Sequence, residues 1–477
     1  MKKFLTYAAP ALTLLGLTLG GCQVDITEPK ASAGGVDVSK YISVGNSLTA
    51  GFADNGLYLE GQQSSYPALL AGQFAQVGGG SFVQPLFPAA QFNGSGYLSL
   101  TGFDATGTPK IVPVTTDLAV TGMGLDQKTP LLVRYAGTDN QNLGVPGIRV
   151  ADVTTPGYGL NNPIGFNPYF ERLLPAGSPT TYLAYVQERV TTVKPTFFTD
   201  WLGNNDVLGF ATSGGVAPLT SVAEFSTKYA QVVDALTSGG AKGLVANIPS
   251  VTNLPFFTTV PTAALIGRVA SAPVPQAVKD QLTDGLQLTP AQAATIRFGL
   301  FIKTGAGAVR EATAADLILL PASALISAPS VPPGGLPGGF GIIISGLAPI
   351  QAGGLALALP PNALPNGAVL DSKEVADVTT RTSELNNVIS SNAQRKDLAL
   401  FDTNSFFTQV ARTGLIINGV NNTTSFITGN LFSLDGVHPT PRGYAVIANE
   451  MIKTINYKYG ASIPGIDATH YRGVKFP

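Results

Sequence analysis

Apolar and polar positions along the chain follow two alternating rhythms. Val38–Val44 is an apolar run of strand length that ends in the small polar turn Gly45-Asn46-Ser47. Ser178–Val193 carries Tyr182, Tyr185, Val186 and Val190 at helical spacing, and Pro195 ends it. Thr196–Trp201 then reads as a buried strand, Ser221–Leu236 as an amphipathic helix, and Lys242–Ile248 as a further strand. Val375–Ser391 is polar and helical, and Leu398–Phe401 is a short strand. The last long helix is predicted over Thr440–Ile455, with Thr440 as N-cap and Pro441 at its first position. Strands alternating with helices predict an α/β domain around a mainly parallel sheet.

Two stretches break this rhythm and predict insertions at about 53–140 and 255–370. The first is rich in Gly, Thr, Phe and Gln and reads as loops and short strands. Within the second, residues 317–370 contain no charged side chain. A membrane span needs about 20 continuous apolar residues. Prolines such as Pro321, Pro329, Pro332 and Pro337 interrupt this segment too often for that. It reads either as extra core packed on the main domain or as an apolar cover over a ligand pocket.

The N-terminus changes the picture. Lys2 and Lys3 precede an uncharged, mostly apolar stretch from Phe4 to Leu19, followed by Leu19-Gly20-Gly21-Cys22. That order reads as an export signal. Its ending in the sole cysteine resembles the lipobox of bacterial lipoproteins. The resemblance implies loss of residues 1–21, acylation (palmitate among the chains) at Cys22, and anchorage to the cell envelope. For a Gram-negative cell this means the outer membrane. Each buried CH₂ of an acyl chain contributes roughly 0.8 kcal/mol to membrane binding. Residues 22–36 then read as a flexible tether, and residues 37–477 as the folded domain. Such a mature chain has no free thiol for a disulfide, thiolate catalysis or a cysteine metal site.

Composition narrows the function classes. Of 477 residues, 44% are hydrophobic and 12% charged, with a formal net charge of -1. That balance gives no electrostatic footprint for nucleic acid and argues against general disorder. The two histidines are far apart in sequence without a ligand cluster, so neither a metal nor another cofactor is expected.

The turn after the first strand lifts Ser47 into the open, and a serine needs a base, a group that orients the base, and oxyanion donors. His470 lies in the C-terminal tail with Asp467 nearby. His438 lies just before the last helix, three residues after Asp435, a spacing that lets the carboxylate meet Nδ1 and leaves Nε2 for the serine proton. The turn Asn142–Gly147 and the segment Gly203-Asn204-Asn205-Asp206, which follows a strand at its carboxyl end, each read singly as a turn set by backbone geometry, or else as a source of oxyanion donors.

The order GNSL, glycine turn, GxND, DxxH resembles the SGNH, or GDSL, hydrolase superfamily. The resemblance implies a three-layer α/β/α sandwich of flavodoxin-like topology. It implies Ser47, His438 and Asp435 as the triad, with the Ser47 and Gly147 amides and the Asn205 side chain as the oxyanion hole. Two departures stand out. Asn46 replaces the usual aspartate, and the first two blocks are unusually far apart, which leaves Gly144 as a rival to Gly147. No G-x-S-x-G elbow is present. The expected activity is ester hydrolysis, as an esterase or lipase acting on an acyl ester of a lipid or acylated glycan. A carbohydrate acetylesterase is the rival within the family. A non-catalytic, ligand-binding envelope lipoprotein on the same fold is the rival outside it.

Overall fold

Tyr41–Gly45 (β1) is buried at every position and is an inner strand of a parallel sheet. The computed structural model describes residues 30–327, 338–347 and 362–477. The other central strands are Asn142–Gly144 (β2), Phe197–Trp201 (β3), Lys242–Ala246 (β4) and Ala399–Phe401 (β5). Their spatial order is β2-β1-β3-β4-β5, and every pairing is parallel. This is a doubly wound order whose switch point lies at β1 and β3, where open α/β sheets bind ligands. Gly45 pairs with both Gly144 and Trp201, so three strands end side by side.

Helices cover both faces. Tyr41 and Phe197 are register partners and point to one side, where they meet Phe74 and Tyr459 of helices Tyr66–Phe74 and Pro441–Tyr459. Asp200, of opposite parity on β3, points to the other side, toward Tyr229 of helix Val222–Thr237. That helix packs between Tyr182–Val193 and Ser372–Arg395. The predicted helix starts at Ser221 and Thr440 rest on side-chain caps, Ser221 accepting from Glu224 N–H and Thr440 from Gly443 N–H; the helix predicted from Ser178 starts later, capped by Thr181, which accepts from Ala184 N–H. Helix Ser372–Arg395 opens on a capping box between Asp371 and Glu374.

The structure departs from the sequence reading in three places. β2, read as a turn, makes a three-residue edge strand. The stretch 53–140 contains the helix Tyr66–Phe74 besides its hairpins at Tyr97–Val114 and Val120–Leu132. The 255–370 insertion folds helices Thr262–Ser271 and Gln276–Leu286 against strand Arg297–Lys303, with an apolar cluster of its own around Leu265, Leu300 and Ile342. Of the uncharged segment, Phe340–Ile343 pairs with Arg297–Leu300, and Leu317–Ile318 with Val369–Leu370. Residues 328–337 and 348–361, and the predicted signal, Cys22 and most of the tether, lie outside the described residues. Among the described residues no helix is long and apolar enough to cross a membrane.

Candidate active site

β1 stops abruptly because of Gly45. A Cβ there would lie 2.0 Å from Thr49 Oγ1, so only glycine lets the chain turn under Thr49. Asn46 follows as the N-cap of a short helix, Ser47–Ala50, its side-chain oxygen accepting the Leu48 N–H at 3.0 Å. Asparagine thus does the capping for which a carboxylate would also serve, but among the described residues its buried Nδ2 has no hydrogen-bond acceptor.

Ser47, 6% exposed, meets a histidine 391 residues away: its Oγ lies 2.8 Å from His438 Nε2. His438 Nδ1 lies 2.8 Å from Asp435 Oδ2. Each carboxylate oxygen is held further. Oδ1 accepts the amides of Val437 and His438, each at 2.8 Å, and the Ser433 hydroxyl at 3.1 Å. Oδ2 accepts the Asn55 amide at 2.9 Å. Burial pushes the Asp435 carboxyl up, but the facing imidazole and these amides pull harder and bring it down to about 2. Asp435 is therefore ionised at neutral pH and fixes the ring that faces Ser47.

The loop bearing Asp435 and His438 is closed by the Ser433 amide donating to the His438 carbonyl at 2.8 Å. Phe52 packs on the imidazole with ring centroids 4.7 Å apart. His470, the other histidine, is exposed on a tail turn, 3.7 Å from Asp467.

Asn205 begins helix Asn205–Thr212, just beyond β3. One hydrogen of its side-chain amide goes to the Ile148 carbonyl at 2.9 Å, leaving the other for a ligand. Gly147 follows β2 with φ +83° and lines the same cleft as Ser47, Asn205 and His438. Among the described residues no acceptor takes the amide of Ser47 or Gly147. Gly144 offers no such donor, because its N–H goes to Asn142 Oδ1 at 3.0 Å. Asp206 ties the two loops together by accepting the amides of Val150 at 2.8 Å and Ala151 at 3.2 Å. Burial pushes its carboxyl up to about 6, against the pull of those donors.

Sequence reasoning missed Asp54 and Asn55. Both have left-handed backbones, φ +51° and +61°. Asp54 accepts the Leu434 amide at 3.0 Å and the Tyr58 hydroxyl at 2.8 Å, and its own N–H reaches Ser433 Oγ at 2.8 Å. The first insertion thereby grips the acid loop. The legible signal was Asp54-Asn55-Gly56, residue types that tolerate this turn.

Two compartments meet at Ser47 and His438. One is small and partly enclosed, less open than its neighbour, and walled by Leu48, Trp201, Leu208, Leu254 and Phe407; the space open to the centre of a water-sized sphere is about 40 Å³. The other is a cleft of about 860 Å³ by the same measure, lined by Phe52, Gly147, Tyr158, Phe166 and Tyr169. Among the described residues, none of 317–370 walls either space, so the described part of that segment is packing rather than cover. No three His, Cys, Asp or Glu side chains among the described residues gather in a metal-binding group.

No family model matches the chain, and no curated protein matches it. Among solved structures, the chain has a distant match to LAE5, an alpha/beta hydrolase enzyme from the metagenome of Lake Arreo, Spain. The two are 12% identical, with a TM-score of 0.33, over 88% of this chain and 96% of the other. A likeness of that size carries no argument about fold family or chemistry.

Proposed function

We propose that this chain is a serine ester hydrolase of the SGNH type, working through an acyl-enzyme. The observation that carries the reading is the unbroken relay from Ser47 Oγ to His438 Nε2 and from His438 Nδ1 to Asp435, with 2.8 Å at each step. The order of the four blocks and the sheet order β2-β1-β3-β4-β5 support the family assignment.

In the proposed reaction Ser47 Oγ attacks an ester carbonyl while His438 Nε2 takes its proton. Asp435, ionised and held by five donors, keeps Nδ1 protonated and steadies the imidazolium. The amides of Ser47 and Gly147 and the free hydrogen on Asn205 receive the oxyanion. His438 then protonates the leaving alcohol, and water, activated by the same imidazole, releases the acid. The separate lipobox resemblance at Leu19–Cys22 supports export and acylation at Cys22, which would anchor the working enzyme to the cell envelope.

A fluorophosphonate probe tests the reading. It labels the wild-type protein, fails on Ser47→Ala, and labels His438→Ala at least a hundredfold more slowly. Equal labelling of all three would leave the binding-protein alternative. The anchor is tested separately: palmitate incorporation in expressing bacteria disappears with Cys22→Ser.

A further inference from the structure

We propose that the narrower compartment is the acyl site and the open cleft the alcohol site, which makes the substrate a short-chain ester, acetyl to butanoyl, of a bulky neutral alcohol. This rests on the hydrolase reading above and narrows it.

The assignment of sides follows from the order of events. Ser47 Oγ bonds to the acyl carbon, and its proton passes to His438 Nε2. The bond from that carbon to the alkyl oxygen then breaks, and the oxygen leaves with the proton. Water adds its hydroxyl to the acyl carbon, its proton goes to His438, and the imidazole returns it to Ser47 Oγ as the acid departs. Between the two halves the alcohol must exit and water must enter while the acyl group stays. The cleft, about twenty times larger by the same measure and more open, suits that traffic better. The narrower compartment, bordered by Phe407, Phe432 and Ile447, suits the group that stays bound to Ser47.

Size sets the chain length. A water needs at least about 10–15 Å³ of sphere-centre space. The narrower space of about 40 Å³ therefore takes roughly three water-sized groups beyond Ser47. On that measure an octanoyl chain exceeds the space between Leu208, Leu254 and Phe407. Its walls are almost wholly carbon, which suits a hydrocarbon and disfavours a hydroxylated acid. Among the described residues no Asp, Glu, Lys or Arg side chain lines either compartment, so neither offers a lysine or arginine to a phosphate on the alcohol. The cleft, with Phe52, Tyr158, Phe166 and Tyr169, has rings enough for a large uncharged group.

The test is an acyl series of p-nitrophenyl esters on the full mature chain, alongside Leu208→Ala and Leu208→Phe. Leu208 is half-buried, one helical turn beyond Asn205, and its truncation opens the compartment without touching the relay. The wild type is expected to turn over acetate or butanoate at least tenfold better, by kcat/KM, than octanoate. Leu208→Ala narrows that ratio at least threefold, and Leu208→Phe lowers butanoate relative to acetate. Monoacetin is turned over better than its glycerol-phosphate counterpart. Octanoate or palmitate cleaved as well as butanoate, in a Ser47-dependent way, overturns this inference and leaves the hydrolase reading standing. So does a chain-length ratio that Leu208→Ala does not move, or equal turnover of the phosphorylated ester. No Ser47-dependent turnover and no fluorophosphonate labelling removes both.

Discussion

Asp200 gives the sharpest quantitative test of the fold's electrostatics. It is a fully buried carboxyl in the middle of β3, and neither oxygen meets a donor in good geometry. Burial pushes it from 3.8 to about 7, an effect that the nearby Tyr229 hydroxyl and Leu202 amide only partly offset. The native state thus binds this proton more tightly than the unfolded chain does. The resulting stabilisation is complete below the unfolded value and is lost as pH rises through about 7. Between pH 5 and pH 8 the loss from this one group is roughly 2–3 kcal/mol. Asp435 moves the opposite way and titrates near 2, so it adds nothing to that interval. Asp206, at about 6, adds to the fall in both proteins compared. Urea unfolding of wild type and Asp200→Asn at pH 5 and pH 8 isolates the difference. The wild type should lose about 2–3 kcal/mol more over that range than the variant. Equal losses would refute the claim that the carboxyl is unionised below neutrality in the native sheet.

Asn205→Ala removes a candidate oxyanion donor and the bond to Ile148. Its kcat should fall about 10²- to 10³-fold, some 3–4 kcal/mol of activation energy, with KM little changed; steady-state ester hydrolysis checks it. Asn55 acts through its backbone amide at φ +61°, so Asn55→Gly should keep activity within about threefold. Asn55→Val strains that backbone by roughly 1–2 kcal/mol. It should slow turnover more than Gly does, and the kcat ratio of the two variants measures the effect.

The parts of this protein that could be read in advance are those in which one residue type has few alternatives. Only two histidines exist; both follow an aspartate by three residues, but only His438 also stands just before a long helix. The helix starts at Ser221 and Thr440 were legible because a small polar side chain precedes an apolar periodicity, whereas the helix placed from Ser178 is capped three residues later, at Thr181. β2 was not, because three residues give no periodicity and Asn142 is buried by its neighbours rather than by its own chemistry: its Nδ2 reaches the Thr49 carbonyl at 2.9 Å. Nor was the choice between Gly144 and Gly147, which depends on where each amide's hydrogen goes. The grip of Asp54 and Asn55 on the acid loop joins positions about 380 residues apart, largely through main-chain groups, which no side-chain pattern advertises. The two compartments were invisible for a similar reason. The walls of the small one come from the turn after β1, the loops after β3 and β4, helix Thr403–Thr413 and the last helix, and those of the cleft mostly from the loop after β2.

The long reach between the nucleophile and its base has a consequence for biogenesis. Nearly four hundred residues must emerge and condense before the alcohol acquires a partner, so a nascent or partly folded chain carries an inert serine. Covalent capture by an active-site probe therefore reports finished tertiary assembly rather than mere synthesis, and a lesion anywhere in the intervening fold is readable as silence at residue 47.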